Sequence, residues 1–342
     1  MRIRAVSKLI GGEILAEAIL TREKEILIPK GTELKSEYIP LIQSLEIESL
    51  MLEDPYEDYE KPHFIIQEDS IKKYTESVRK LMEGHIYHEN DKSLKIFEVI
   101  ANDIVKEINS STAEAILDMK ERNSNLYEHT VMVTLLSVLV GKKLKLDEQR
   151  LYNLALGCLL HDIGLRYVTI PYEGRDLTAV EPAEMFEYKK HTILGYSALQ
   201  DETWIPQISR KMILSHHENM EGTGFPMKQK YKETECRIIQ ACDAFDCYIS
   251  GMECKRMSVQ EALDIMIGNA GKKYDKAVVD NLVSTVAKYP VGTTVKTNVE
   301  ERGVVISQTV DPENPIIMIL NTDECSERNL MLEENISILG VV

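Results

Sequence analysis

The 342-residue chain lacks any apolar run near the roughly 18 residues that a membrane-crossing helix requires. Its longest, Val131 to Val140, is already interrupted by Thr134 and Ser137. The basic start, MRIRAVSKLIGG, turns polar too early to read as an export signal. A soluble chain with no membrane partner is the expectation. Cys-x-x-Cys pairs are missing too: Cys158, Cys236, Cys242, Cys247, Cys254 and Cys325 are scattered, several in apolar, helix-like surroundings. Reduced thiols in a cytoplasmic protein explain them most simply. Positive charge is in deficit, with 40 Lys and Arg against 56 Asp and Glu and a net charge of -16. That sign is wrong for tracking a polyanionic backbone or an anionic membrane surface, so no nucleic acid polymer is expected as a partner. No repeat in the range of roughly 20 to 50 residues stands out, which disfavours a solenoid.

What is present is ordinary for a folded chain: 44% hydrophobic and 28% charged residues, and enough length for two or three compact units. Residues 1–60 read as a small α+β unit. Its short apolar runs, Glu13 to Leu20 and Glu25 to Pro29, are separated by turn signals at Gly11-Gly12 and Pro29-Lys30-Gly31. Ser36 is placed to cap a short helix ending near Leu45, and Ile47 to Leu52 reads as a closing strand. The acidic stretch EDPYEDYEKPHF, with two prolines, marks the boundary.

Residues 61–288 switch to helical periodicity almost throughout. His129 to Val140 is nearly continuously apolar, the pattern of a helix buried on most sides. Leu177 to Leu199 reads as one helix opened by a Thr178/Glu181 capping box, with Pro182 in its first turn and His191 in its interior. After Tyr289-Pro290-Val291-Gly292, residues 289–342 return to strand-like runs at Thr293 to Thr297, Gly303 to Ser307, Ile316 to Leu320 and Ile336 to Val342. The fold class expected is mainly α: an all-α helical domain flanked by small β-rich units.

Five of the eight histidines fall between residues 129 and 217. They are His129 in YEHTVMV, His161 beside Asp162 in LLHDIG, His191 in YKKHTI, and the doublet His216-His217 in LSHHEN; Asp243 follows in QACDAFD. Imidazole and carboxylate donors suit Zn, Mn or Fe(II), whereas a structural zinc site usually recruits thiolates. Adjacent residues on a helix project about 100° apart, so neither HD nor HH alone encloses an ion, but several helices together can. Asp162, with two oxygens, is suited to bridge two ions. A single buried histidine is more often a core residue than a ligand. The whole set is hard to explain as core or surface histidines. His63, His85 and His88 lie in polar stretches and read as solvated.

The succession H, HD, H, HH, D, with ENMEGTGFP after the doublet, resembles the HD-GYP family of HD-domain phosphohydrolases, strongly over residues 125–260. The resemblance implies an HD-type helical fold with two divalent ions, Fe or Mn favoured. His129, His161, Asp162 and Asp243 would hold one ion; Asp162, His191, His216 and His217 would hold the other. It implies a phosphodiesterase that hydrolyses cyclic di-GMP or a related cyclic dinucleotide, with Asp162 bridging and positioning a hydroxide shared by the ions. Some members hold a third ion through a Glu at the position of Asn125, so two ions are expected here.

The departures concern the substrate. HDIGL replaces HDIGK, so Leu165 stands where a phosphate-contacting lysine is expected; Met252-Glu253-Cys254-Lys255 replaces an RPYR-like stretch; Phe225 replaces the GYP tyrosine; and Glu221 replaces a loop aspartate. Each lost charge-assisted contact is worth about 1.5–3 kcal/mol. Lys255, Gly224 and Phe225 are the candidate substrate contacts. Two alternatives stay open: a nucleotide-binding signalling sensor with little or no catalysis, and a phosphohydrolase acting on a different small phosphoester. A homodimer or a signalling protein partner fits any of these readings.

Overall fold

The computed structural model describes residues 2–6, 9, 11–20, 26–45, 47, 49–53, 66, 68–86, 94–110, 116–320 and 326–342. It divides into two compact units, one of Met1–His63 together with Tyr289–Val342, the other Phe64–Lys288. The mainly α class read from the sequence is what the chain adopts. Among the described residues no helix is long and apolar enough to cross a membrane.

In the N-terminal segment, β1 (Arg2–Ala5) pairs antiparallel with β4 (Ser49–Leu52), and β2 (Ile19–Leu20) with β3 (Ile26–Ile28). Between them lies α1 (Ile39–Ser44). Leu15, Leu34, Ile42 and Leu52 are fully buried and form the centre of this segment's core. Ser36 does not cap α1: it opens a 3-10 turn, Ser36–Tyr38, that runs directly into the helix, and Pro40 in the first turn removes a donor that would otherwise need a cap. Most of EDPYEDYEKPHF, with His63, lies outside the described residues, as do His88 and Cys325.

The C-terminal segment is a five-stranded antiparallel sheet in the order β8-β7-β6-β5-β9, from β5 (Thr294–Thr297), β6 (Arg302–Ser307), β7 (Ile316–Ile319), β8 (Glu327–Asn329) and β9 (Ile338–Val341). β8 was not expected, because Glu327-Arg328-Asn329 has no apolar alternation; Arg328 instead forks onto Glu301 and reaches Glu333.

The helical unit comprises α2 (Glu68–Ile86), α3 (Ile96–Ser110), α4 (Leu126–Lys143), α5 (Glu148–Leu160), α6 (Pro182–Lys189), α7 (His191–Ala198), α8 (Gln207–Ser215), α9 (Thr234–Ser250), α10 (Val259–Gly268) and α11 (Lys276–Val283). α4 is its axis, buried without interruption from His129 to Gly141 and packed against α2, α5 and α9. A helix so enclosed has no polar face, and its Thr130 and Thr134 hydroxyls donate to carbonyls one turn back. Asn125 caps α4 by accepting from the Tyr127 and Glu128 amides, and Asp147 caps α5 by accepting from the Arg150 amide.

The helix expected over Leu177 to Leu199 is instead a 3-10 turn (Leu177–Ala179), then α6, then α7, with the axis broken at Lys190. Glu181 precedes a proline and is held extended (φ -60°, ψ 147°), so the chain cannot turn helical before Pro182. Asp176, not Thr178, accepts the first amide bond. His191 therefore opens α7 rather than sitting inside a long helix. His85, expected to be solvated, is half-buried at the end of α2 and edge-on to Tyr167.

Candidate metal centre

Five helices bring the cluster together. α4 carries His129; the C-terminus of α5 delivers His161 and then Asp162; α9 carries Asp243. The N-terminus of α7 supplies His191, and the C-terminal end of α8 supplies His216 and His217. Seven candidate ligands far apart in sequence thus converge, and every one is buried except His217, whose side chain is still only 10% exposed.

The two oxygens of Asp162 face different partners. Oδ2 lies 3.2 Å from His161 Nε2 and 3.5 Å from His129 Nε2, while Oδ1 lies 3.4 Å from His216 Nε2 and 3.6 Å from His191 Nε2. Asp243 Oδ1 approaches His129 Nε2 at 3.1 Å and His161 Nε2 at 3.5 Å, and its Oδ2 is 3.8 Å from His217 Nδ1. Ligand atoms of Asp162, His191, His216 and His217 all lie within 4.8 Å of one another, as do those of His129, His161 and Asp162. A third grouping joins His129 and Asp243 to Cys247, whose buried thiol is raised well above its usual pKa by desolvation and the nearby carboxylates.

The remaining nitrogens explain why these rings point inward. Nδ1 of His161 is 2.6 Å from the Cys158 carbonyl, that of His191 2.8 Å from the Tyr188 carbonyl, and that of His216 2.9 Å from the Ile213 carbonyl. A carbonyl only accepts, so each Nδ1 carries a proton and each ring turns its Nε2 toward the cluster. His129 follows the same logic with a carboxylate: Asp246, one turn beyond Asp243 on α9, accepts from its Nδ1 at 2.6 Å. Asp246 is in turn clasped by Arg122 at 2.5 and 2.6 Å.

These residues fit a cation. His161 Nε2 and Asp162 Oδ1 are buried with no hydrogen-bond partner, and two imidazole lone pairs face each other across 3.0 Å between His191 and His216. Buried orphans of this kind are costly unless something positive lies against them. Charge is divided across the cluster. Burial would lower His129, yet its bonds to Asp243 and Asp246 push it up to about 9; burial would raise Asp162, yet its neighbours, led by His161, hold it well below the carboxylate range. On the other side, burial and then the nearby charge of His217 push His191 down to about 3, and the same causes lower His216.

The backbone is shaped to permit this closeness. A Cβ on Gly164, two residues after Asp162, would overlap the His191 carbonyl oxygen, and one on Gly224 would overlap that of His217. The loop after the doublet is built around two buried side chains. Glu218 accepts from the Met227 and Gln229 amides, and Asn219 from the Glu221 and Thr223 amides. This loop lays Phe225 on His217, ring centroids 4.5 Å apart and 21° from parallel, with Lys189 Nζ 5.2 Å from the Phe225 centroid. Leu165 is buried in the apolar core. Lys255 is exposed beyond α9, and among the described residues no hydrogen bond or ion pair ties it to the cluster.

Residues that the sequence reading passed over are Asp246, Arg122, Tyr188 and Glu253. Asp246 had a usable signal, a second acid three residues after Asp243 and so on the same helix face. Glu253 lies 3.2 Å from His217 Nε2 through its Oε1, which also accepts from the Tyr188 hydroxyl.

A helical unit with an inward-facing His/Asp cluster built on an HD pair belongs to the HD domain family, whose model matches residues 105–278. The HD-GYP resemblance carried by the motifs is borne out by the relatives. The chain is 28% identical over 217 residues to the cyclic di-GMP phosphodiesterase PA4108 of Pseudomonas aeruginosa, a match covering 61% of this chain and 52% of that protein. It is 26% identical over 199 residues to the cyclic di-GMP phosphodiesterase PdeB of Borreliella burgdorferi, covering 56% and 51%. The matches thus span about half the length of these curated relatives. In fold the chain resembles a solved HDG"Y"P protein from Bdellovibrio bacteriovorus, with a TM-score of 0.55 at 20% identity over 82% of this chain and 97% of that one.

Proposed function

We propose that the chain is a metal-dependent phosphodiesterase acting on cyclic di-GMP or a related cyclic dinucleotide. The observation that carries this reading is Asp162, whose two oxygens each face a separate pair of histidine Nε2 atoms at 3.2–3.6 Å. That arrangement favours two divalent ions, one held by His129, His161, Asp162 and Asp243, the other by Asp162, His191, His216 and His217. The nitrogen and oxygen donor set suits Fe or Mn. When bound, such a pair supplies Lewis-acid polarisation of a phosphodiester and an activated water for in-line attack.

The chain's own residues do the rest. Asp162 sets the spacing between the two halves. The Cys158, Tyr188 and Ile213 carbonyls and the Asp246 carboxylate hold the ring tautomers. Lowered pKa values keep His191 and His216 neutral, so they do not repel a cation. At the mouth, Phe225 offers a ring face for a base, Gly224 lets the loop approach closely, and Lys189 and Lys255 offer the positive charge that Leu165 no longer supplies. The names of the relatives PA4108 and PdeB support the substrate class.

The burial of Leu165 favours a second reading, a sensor that binds a nucleotide without cleaving it. Purified protein loaded with Mn(II) or Fe(II) and offered a panel of cyclic dinucleotides and generic phosphodiesters separates the two. Cleavage with two ions per chain, both lost in Asp162→Ala, is the expected result. Tight binding of a cyclic dinucleotide with no turnover selects the sensor.

A further inference from the structure

Glu253 stands in the stretch where the sequence departs furthest from the HD-GYP pattern, and nothing in the ligand assignment uses it. Its position is nevertheless well determined. Its backbone carbonyl accepts from the Leu177 amide at 2.9 Å, fixing the turn after α9, and its carboxylate accepts from the buried Tyr188 hydroxyl. The same carboxylate reaches His217 Nε2 at 3.2 Å and is the acceptor that this buried nitrogen faces.

His217 differs from the other histidines of the cluster. His161, His191 and His216 give Nδ1 to a carbonyl three residues back, and His129 gives it to Asp246, so all four present Nε2. His217 is turned the other way: Nδ1 faces Asp243 at 3.8 Å, while Nε2 faces Glu253. A histidine that binds a metal through one nitrogen needs an acceptor for the proton on the other, and such partners are worth about 10- to 100-fold in metal affinity.

We infer that Glu253 is the positioning residue for His217, holding the proton on Nε2 and leaving Nδ1 as the ligand atom. Each of the five clustered histidines then has its own orienting acceptor. Tyr188 serves two of them at once, His191 through its carbonyl and His217 through its hydroxyl and Glu253. The inference rests on the metal-centre reading above but not on any particular substrate.

The test is Mn(II) titration of the full chain without substrate, followed calorimetrically, with Glu253→Ala and Glu253→Gln. Ala removes the acceptor and is expected to weaken one of the two ions about 10- to 100-fold while sparing the other. Gln can accept from Nε2–H through its amide oxygen and is expected to stay within about three-fold of the parent. Wild-type affinity in Glu253→Ala overturns the inference, and so does a Gln variant as weak as Ala, which would make Glu253 a direct ligand. A parent chain that binds fewer than two ions overturns it as well. One that binds two ions, shows this variant pattern and cleaves nothing leaves it standing while the phosphodiesterase reading falls.

Discussion

His191 and His216 meet Nε2 to Nε2 at 3.0 Å, and neither nitrogen has a proton to offer the other. Both protons are on Nδ1, spent on the Tyr188 and Ile213 carbonyls. Two lone pairs at that separation form a receptor for a cation. Adding Mn(II) to about 100 times its dissociation constant is therefore expected to stabilise the folded chain by about 2.7 kcal/mol per ion. His216→Gln should show a clearly smaller rise in melting temperature. Identical melting with and without metal would count against the receptor.

Asp246 connects His129 to Arg122, so its loss has two separable effects. Asp246→Ala leaves the Arg122 guanidinium, only 11% exposed, with Glu128 at 3.6 Å as its remaining carboxylate, at a cost of roughly 1–3 kcal/mol in urea unfolding. It also frees the His129 ring, which is expected to lower metal affinity about 10- to 100-fold. Asp246→Asn keeps an acceptor for Nδ1 and should lose less metal than stability. Unchanged urea midpoints in both variants would contradict the linkage.

Gly164 has no room for a side chain. Gly164→Ala would drive a methyl into the His191 carbonyl, expected to cost about 1–3 kcal/mol or more and to shift His191 away from Asp162. Gly84→Ala in α2 is the control, since nothing lies within 4 Å of its added methyl, and there a gain of about 0.5–1 kcal/mol is expected. Equal effects in the two variants would refute the steric argument.

Lys189 is the cation nearest the Phe225 face, with no carboxylate bound to it among the described residues, whereas its neighbour Lys190 is paired with Glu187. On the proposed activity, Lys189→Gln is expected to raise KM for a cyclic dinucleotide about 10- to 100-fold, the worth of one charge-assisted phosphate contact, with little change in kcat. A KM within two-fold of the parent would remove Lys189 from the substrate site.

Away from the cluster, Arg150 forks onto Glu235 at 2.7 and 3.0 Å. Burial would raise the Glu235 carboxyl, but the Arg150 bonds leave it below its usual value. The stability it contributes is full above the unfolded carboxylate pKa of about 4.3 and is lost as pH falls through the lower folded value. The gap in urea midpoint between the parent and Glu235→Gln should therefore be open at pH 7 and narrow below about pH 4. A gap that stays constant from pH 7 to pH 3 would exclude the linkage.

The sequence made α4 legible because an apolar run with no polar face has few places to go other than a core. It also identified every histidine of the cluster, since imidazoles in otherwise apolar helices need a reason. What it hid was local. The late start of α6 depends on the extended residue before Pro182, and the break at Lys190 adjoins the packing of α7 against the HD turn; neither shows in helical periodicity. Asp246 and Glu253 looked like two acids among 56, and only their partners give them a purpose. β8 escaped because hydrogen bonding to β7, rather than an alternating pattern, makes it a strand.

The contact between Gly164 and the start of α7 has a wider consequence. Gly195 lies against Gly164 as well, so the HD turn and α7 touch backbone to backbone, with no side chain serving as spacer. The distance between Asp162 and His191 is then set by main-chain van der Waals radii, which no exchange of neighbouring side chains can alter. Positions such as 165 and 225 can change without disturbing that distance, whereas Glu253 acts on His217 and belongs with the centre. The spacing of Asp162 and His191 is in this sense a property of the main chain, separable from the side chains that line the mouth.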